Sequence, residues 1–485
     1  MKTVLFALNG SWAHSALSVR ALDAALREEG ITPAVIEANL QDRTLSVLER
    51  LCAAAGDVYG FSCYIWNIEQ MLSLAADLKA LRPDCHIILG GPEASFATDR
   101  FAQLDFIDCV IAGEGEVSFP LAVRALERGE RLPRVINGVP DPKFCERGIL
   151  YDKTAPAPRL VYYESSRGCP FSCAFCLSGR GLDKTQLAAH AVRAKSAEKT
   201  LADLAEFEQI PGDFTVKFVD RTFNFDRERA KHIWRGLLSQ SYTKTYHFEV
   251  AAQLLDEESF AILAQFPAGK LRLEIGLQST NKETLAAISR HTDAQRVLAA
   301  AARLVRDGGV HVHLDLIAGL PHEDLASFAK SFDEAYFCCH ELQLGFLKLL
   351  HGTPLRQNAA DFGAVFMQKP PYTVLKTDCL SFEEMSLLHA VDELTERLRD
   401  SGRFVRTLRF LMAHVPSPFA FYSDLHAHLL ASCDKPLQRI SQRDLFWQVA
   451  QFARRILPEN LHEALSLEMR ADFAAAEVRR APKGL

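Results

Sequence analysis

Three cysteines stand close enough in the chain to act as one ligand set. They lie in Ser165-Ser166-Arg167-Gly168-Cys169-Pro170-Phe171-Ser172-Cys173-Ala174-Phe175-Cys176, spaced Cys-x3-Cys-x2-Cys. Three thiolates so close on one loop can ligate three irons of a cubane [4Fe-4S] cluster, which usually takes four cysteines. No fourth cysteine follows nearby, so one iron keeps an open position, the mark of a cluster that binds a substrate. Zinc is the competing reading, but zinc usually takes paired Cys-x2-Cys or Cys/His units, and no second pair follows. Three exposed thiols without a metal would be an oxidation liability. Of the other cysteines, Cys52, Cys63, Cys85, Cys109, Cys145, Cys379 and Cys433 are scattered singly in apolar surroundings and read as small buried hydrophobes. Cys338 and Cys339 are neighbours, so at most one faces a given site. Free thiols in a chain of this size imply a reducing compartment, and the expected location is cytoplasmic.

The motif, with Phe175 directly before the third cysteine, resembles that of radical S-adenosylmethionine enzymes. The resemblance implies that the methionine amino and carboxylate groups of S-adenosylmethionine bind the open iron. An electron from the reduced cluster then cleaves the sulfonium to a 5′-deoxyadenosyl radical, while the protein holds the pieces and excludes water. Leu271-Arg272-Leu273-Glu274-Ile275-Gly276-Leu277-Gln278-Ser279 and Asp315-Leu316-Ile317-Ala318-Gly319-Leu320-Pro321 are similar to the fourth and fifth strands of the coproporphyrinogen-dehydrogenase-like branch. Carried over by position, Glu249 would meet the methionine amino group and Arg290 its carboxylate, with Gln278 and Asp315 on the ribose hydroxyls. A carboxylate suits an ammonium, a guanidinium fork suits a carboxylate, and acceptors suit hydroxyls. Glu249 and Asp315 could instead pair with neighbouring Arg or Lys, and Arg290 could be a solvated helix residue. The family's usual glycine-rich turn after the second strand is absent. Its place holds Phe218-Val219-Asp220-Arg221-Thr222-Phe223-Asn224-Phe225-Asp226, similar to segments of cobalamin-dependent members, which puts Asp220 and Thr222 near the methionine end.

These loops need strands to carry them, and two α/β series supply them. At roughly 150 residues per domain, 485 residues suggest about three domains. In the first ~120 residues, short apolar runs (Val4 to Leu8, Ala34 to Ile36, Val58 to Ser62, His86 to Leu89, Cys109 to Ala112) alternate with helical patterns. Glycines stand at several run ends, which predicts a Rossmann-like doubly wound parallel sheet with ligands beyond the strands' carboxyl ends. A Pro- and Asp-rich linker is expected from about residue 130 to 158. A second series follows, with runs at Leu160 to Tyr163, Phe214 to Val219, Tyr246 to Val250, Leu271 to Leu277, Val310 to Ile317 and Leu342 to Leu349. Six strands with intervening helices fit a partial (β/α)6 barrel whose chemistry sits at the strands' C-terminal ends. The domain boundaries drawn are 1–135, 136–158 as linker, 159–369 for the barrel and 370–485 for a mainly helical extension.

A sheet ahead of a radical barrel resembles the cobalamin-binding domain fused to many of these enzymes. Its crevice would be lined by Asn9, Trp12 and His14 after the first strand, and by Ser62, Tyr64 and Trp66 after the third. Gly90, Gly91, Glu93, Gly113 and Glu114 complete the set. Small residues at strand ends let a flat macrocycle and its nucleotide tail approach the backbone. The Asp-x-His-x-x-Gly signature that supplies a lower-axial histidine is missing, and His14 stands in the corresponding loop at another spacing. A domain that binds nothing is the alternative, while the absence of Gly-x-Gly-x-x-Gly after the first strand argues against a nicotinamide cofactor. Residues from Pro370-Pro371 onward resemble an uncharacterised helical extension of one subgroup of cobalamin-binding radical proteins, expected to cap the barrel mouth or to form an oligomer surface. The last residues, 475–485, read as a frayed basic tail.

The resemblance implies a cobalamin-dependent radical enzyme that methylates an unactivated carbon of a small-molecule substrate, reduced by a low-potential donor such as flavodoxin or ferredoxin. Its rivals are radical oxidation, cyclisation or rearrangement without methyl transfer, a non-catalytic corrinoid or redox sensor, and a transfer-RNA methylthiotransferase. The last lacks its usual second three-cysteine domain and RNA-binding barrel here. A formal charge of −6 offers no basic excess for a phosphate backbone, and no apolar run reaches the ~18–20 residues of a membrane span.

Overall fold

The computed structural model describes residues 1–154, 157–178, 192–239 and 242–476. Beyond residue 476, the expected tail lies outside the described residues. The chain divides into two compact units. The first is Met1–Arg272 with Lys348–Asn358 and Met367–Thr373, and the second is Leu273–Leu347 with Ala359–Phe366 and Val374–Leu485.

The first unit opens with β1 (Thr3–Asn9), α1 (Leu17–Glu28), β2 (Ala34–Asn39), α2 (Thr44–Ala53), β3 (Val58–Ser62), α3 (Ile68–Leu81) and β4 (His86–Gly90). Short α4 (Pro92–Phe96) and α5 (Thr98–Ala102), then β5 (Cys109–Ala112), α6 (Ser118–Glu127) and β6 (Val135–Asn137), complete the domain. All neighbours pair in parallel in the order β2-β1-β3-β4-β5-β6. The apolar runs are continuous because helices cover both faces of the sheet. Val4, Phe6 and Leu8 of β1 enter one core with Phe61, Met71 and Leu89, and Leu5 and Ala7 enter the other with Val58, Ile88 and Phe119. Strand order reverses between β1 and β3, and that reversal opens a crevice at their carboxyl ends. The stretch read as linker from residue 130 contains β6. Three edge residues between Pro133 and Pro140 are too few for any periodicity to reveal.

The second series runs β7 (Leu160–Tyr163), the two-residue strands β8 (Ser166–Arg167) and β9 (Arg193–Ala194), α7 (Ala197–Phe207), β10 (Thr215–Phe218), α8 (Arg227–Ser239), β11 (Thr245–Val250), α9 (Glu257–Leu263) and β12 (Leu271–Gln278). It continues with α10 (Lys282–Ala287), α11 (Ala294–Asp307), β13 (Val310–Ala318), α12 (Leu325–Tyr336) and β14 (Glu341–Phe346). The second sheet keeps chain order, β7-β10-β11-β12-β13-β14, as a parallel α/β series should. Side-chain caps start its helices: Ser196, Asp256, Asn281, Asp293 and Asp324 each accept backbone N–H groups of the first turn.

The C-terminal part holds α13 (Pro354–Gln357), a hairpin of β15 (Val365–Phe366) and β16 (Val374–Lys376), then α14 (Phe382–Thr395), α15 (Val405–Met412), α16 (Pro418–Ser432), α17 (Gln442–Ile456) and α18 (His462–Ala475). Within the second unit, α14 packs beside the last two strands. A Cβ added to Gly319 after β13 would lie 3.3 Å from Met385 Cε, and the His389 ring stacks on Phe346 with centroids 3.5 Å apart. A π-turn at Glu396–Asp400 ends α14. From it, Arg399 donates to the carbonyls of Tyr336, Cys339 and His340, and Asp400 accepts the Leu342 N–H at 3.4 Å. The extension therefore covers the open edge strand β14, where unpaired N–H groups would otherwise face solvent. No helix among the described residues is long and apolar enough to cross a membrane.

Candidate functional site

In the first unit, the cysteine loop leaves β8 through Gly168, whose φ of +99° is the left-handed region that glycine tolerates. Cys169 is buried, Cys173 and Cys176 are half-buried, and none is in a disulfide. A turn from Cys176 N–H to the Cys173 carbonyl (3.1 Å) closes the loop between the last two cysteines, with half-buried Phe175 between them in sequence. Two hydroxyl residues stand against the sulfurs. Thr222 Oγ1 is 3.6 Å from Cys169 Sγ, and Cys176 Sγ accepts the Ser178 N–H at 3.4 Å while its thiol donates to the Ser178 hydroxyl oxygen at 3.4 Å. Donors at this distance stabilise a thiolate and tune a cluster's potential. Ser178 lacked any signal in the sequence, because only the loop's turn brings it back to the sulfur.

Asp220 was expected near the methionine end, and its carboxylate is fully buried and aimed elsewhere in the chain. It accepts the N–H groups of Ser165 (2.7 Å) and Ser166 (3.1 Å) and the Ser165 hydroxyl. Arg229 donates to the same Ser165 hydroxyl at 2.7 Å. Burial raises the Asp220 pKa, against the pull of these donors and of Arg229. Asp220 thus fixes the backbone that leads into the cysteine loop. Glu249 is half-buried on β11. Loss of water would lower the Arg221 pKa, but Glu249, Cys176 and Glu164 around its guanidinium raise it overall.

The loops beyond the first sheet are pinned by their own polar contacts. Asn9 donates its amide to Glu37 (2.9 Å), which also accepts the Ala16 N–H at the start of α1. His14 Nδ1 lies 2.7 Å from the Tyr162 hydroxyl and its ring stacks on Tyr162. Ser62 meets Ser18 at 2.7 Å, and Tyr64 stacks on Trp66 at 4.3 Å. Trp12 and Trp66 are 73% and 51% exposed, unusual for indoles and suited to a flat apolar ligand. The two adjacent glycines differ. Gly91 has φ +99° and a Cβ there would lie 2.6 Å from the Cys63 carbonyl oxygen, so the backbone requires glycine. A Cβ on Gly90 would meet nothing closer than the Ile111 carbonyl at 3.9 Å, so protein packing leaves that space open. Glu93 is buried, accepting the hydroxyl of Tyr372, to which Arg100 also donates at 3.1 Å. Gly113 N–H goes to Ser95 Oγ at 2.9 Å, and Glu114 is bound by Arg167 and Arg193.

In the second unit, Gln278 ends β12 with φ +72°, a strained conformation for a side chain with a Cβ. Its amide folds back over Gly276, where a Cβ would come within 2.3 Å of Gln278 Nε2, and Arg290 donates to the Gly276 carbonyl. Gln278 Oε1 is buried with no partner among the described residues. A strained backbone and an orphaned acceptor together fit a hydroxyl of a ligand. Asp315 sits on β13 with its carboxylate 3.6 Å from His313 Nε2. Behind Gln278, Ser279 donates to fully buried Glu323, whose carboxyl is pushed up to about 7 by burial.

Comparison with known proteins places these features. Residues 10–123 match the B12 binding domain, residues 163–335 the Radical SAM superfamily, and residues 360–483 a protein of unknown function, DUF4080. The chain carries a B12-binding domain and a radical SAM domain. Its C-terminal part is a DUF4080 region. Hopanoid C-3 methylase of Methylococcus capsulatus is 26% identical over 288 residues, 54% of this chain and 53% of that protein. The cobalamin-dependent radical SAM methyltransferase TokK of Streptomyces tokunonensis is 26% identical over 314 residues, 56% of this chain and 44% of that protein. The chain thus spans about half the length of these curated relatives. In fold it is similar to the cobalamin-dependent S-adenosylmethionine radical enzyme OxsB, solved with aqua-cobalamin and S-adenosylmethionine bound. There the TM-score is 0.64 at 14% identity, covering 100% of this chain and 82% of that one.

Proposed function

We propose that the protein is a cobalamin-dependent radical S-adenosylmethionine methyltransferase acting on an unactivated carbon of a small molecule. The observation that carries this reading is the set of three cysteines on one loop, none in a disulfide, whose preceding residue pair, Arg167-Gly168, is bound through Arg167 to the loop after β5 of the B12-binding sheet. When bound, the cluster and S-adenosylmethionine supply one-electron activation of a C–H bond, and the corrinoid supplies a transferable methyl group. Cys169, Cys173 and Cys176 hold the cluster, with the Thr222 hydroxyl beside the first sulfur and the Ser178 N–H donating to the third. Phe175 and Glu249 serve S-adenosylmethionine in the first unit, with Asp220 acting through Ser165. Gln278, Arg290 and Asp315 serve it in the second, Gln278 through its orphaned acceptor. Ser62, Gly90 and Gly91 take the corrinoid's nucleotide tail. Asn9, Trp12, His14, Tyr64, Trp66, Glu93, Gly113 and Glu114 line or support the crevice. The partition at 1–135, 159–369 and 370–485 is supported by the three matched stretches. Electrons come from a low-potential donor such as flavodoxin or ferredoxin, in the cytoplasm.

Anaerobic purification with hydroxocobalamin tests the cofactors. The reading expects about one cobalt and about four irons per chain. Incubation with methyl-labelled S-adenosylmethionine, dithionite and a metabolite extract should then yield 5′-deoxyadenosine and a labelled product. Four irons without cobalt would end the methyl-transfer reading.

A further inference from the structure

We propose that Arg167 couples the two cofactor sites, so that filling the cysteine loop and filling the corrinoid crevice each strengthen the other. The proposal rests on the reading that the first holds a cluster and the second a corrinoid. Arg167 stands two residues before Cys169 and spends its guanidinium on three carboxylates. Nε donates to Glu164 at 2.9 Å, Nη1 to Glu114 at 2.6 Å and Nη2 to Glu116 at 2.5 Å. Its face lies over the Phe144 ring, 4.5 Å from the centroid. Glu164 belongs to the cysteine segment, whereas Glu114 and Glu116 belong to the loop that ends β5. The side chain is 16% exposed and that of Glu116 7%, so water screens these pairs weakly.

From Glu114 the contacts run on into the crevice. Gly113 donates its N–H to Ser95 Oγ at 2.9 Å, and Ser95 Oγ donates to the Gly91 carbonyl at 2.8 Å. An unbroken chain of short hydrogen bonds and adjacent residues therefore joins Gly91 of the double glycine to Cys169 of the ligand set. Both ends are loops held by left-handed glycines: Gly91 (φ +99°), Gly113 (φ +104°) and Gly168 (φ +99°). A ligand that orders one end orders part of the other, and the second ligand then loses less entropy on binding. By linkage the effect is equal in both directions. Only an arginine can serve three acceptors from one planar fork; a lysine is a single point charge.

The test is the ratio of hydroxocobalamin dissociation constants, read by visible absorption, for anaerobic protein without and with its reconstituted iron–sulfur cluster. In the wild type the cluster should tighten hydroxocobalamin about fivefold or more. The ratio should fall to about one in Arg167→Gln and towards one in Glu114→Gln, and Arg167→Lys should restore only part of it. Glu114→Gln keeps Arg167 paired with Glu116 and Glu164, and it carries the test if Arg167→Gln does not fold. A purely structural ion-pair hub would lower thermal stability in these variants and leave the ratio unchanged, and that result overturns the proposal. So does a wild-type ratio of one. A wild type that takes up the cluster and binds no hydroxocobalamin overturns the corrinoid reading itself, and the proposal with it.

Discussion

The strands of the first sheet and those of the second are built on opposite rules. β1 buries six consecutive side chains because helices press on both faces, so nothing in the strand itself is left to do chemistry. In β13, by contrast, buried Val310, Val312, Leu314 and Leu316 alternate with half-buried His311, His313, Asp315 and Ile317. The same alternation sets Thr245 and Glu249 against Tyr246, Phe248 and Val250 in β11, and Glu274 and Gln278 against Leu273 and Ile275 in β12, although His247 and Gln278 are themselves buried. Helix starts differ as well. None of α1 to α6 has a side-chain cap, whereas α7 and α9 to α12 all do. The first sheet leaves its polar and glycine residues to the loops at strand ends, and the second carries half-buried polar side chains on the strands themselves.

The comparison can be broken experimentally, beginning with the largest effect. Cys169→Ala should remove the cluster, with iron after anaerobic reconstitution falling from about four per chain to near zero while far-ultraviolet circular dichroism is unchanged. A variant that kept its iron would mean that the loop is not the ligand set. Asp220→Ala should cost ~3–5 kcal/mol in urea unfolding, because Arg229 loses its buried carboxylate and Ser165 and Ser166 lose an acceptor. A cost below ~1 kcal/mol would show that the lead into the cysteine loop is held by other contacts.

Glu323 sharpens the contrast through pH. Its folded pKa of about 7 lies above the ordinary 4.5, so the unfolded chain ionises first as pH rises. Stability should decline by up to ~3 kcal/mol between pH ~4.5 and ~7 and level off above, and Glu323→Gln should abolish that slope and be the more stable protein at pH 8. Equal melting temperatures for the two proteins at pH 8 would contradict a carboxyl behind Gln278 whose pKa is raised by burial. The smallest difference lies in the adjacent glycines. Gly91→Ala should cost ~2 kcal/mol through strain at φ +99° and collision with Cys63, while Gly90→Ala should stay within ~0.5 kcal/mol of the wild type and weaken hydroxocobalamin binding. Were Gly90→Ala as destabilising as Gly91→Ala, the space above Gly90 would be a packing requirement rather than room for a ligand.

Much of this architecture was legible in local pattern. Short apolar runs marked β3 and β5 to the residue, Val58–Ser62 and Cys109–Ala112, because a strand buried on both faces leaves an unmistakable block in the sequence. The edge strand β6 was missed for the converse reason, since its three residues are half-exposed and flanked by proline. The cysteine spacing was legible because its meaning is carried by separation along one loop. The positions of Asp220 and Glu93 were not, because their partners, Ser165 and Tyr372, lie 55 and 279 residues away.

The sequence by itself determined the ligand types, the two α/β periodicities and the strand ends where loops must emerge, all of which depend on neighbours a few residues apart. Only the tertiary structure decided which carboxylates are buried against donors of distant segments and which stay half-buried on a strand. Asp220 and Glu93 have the same chemical possibilities as Glu249 until folding buries them against particular donors. Arg167 is one arginine among many in the chain until Glu114, Glu116 and Glu164 converge on it. Burial and charge pairing depend on which distant segments meet, and distance along the chain does not encode that.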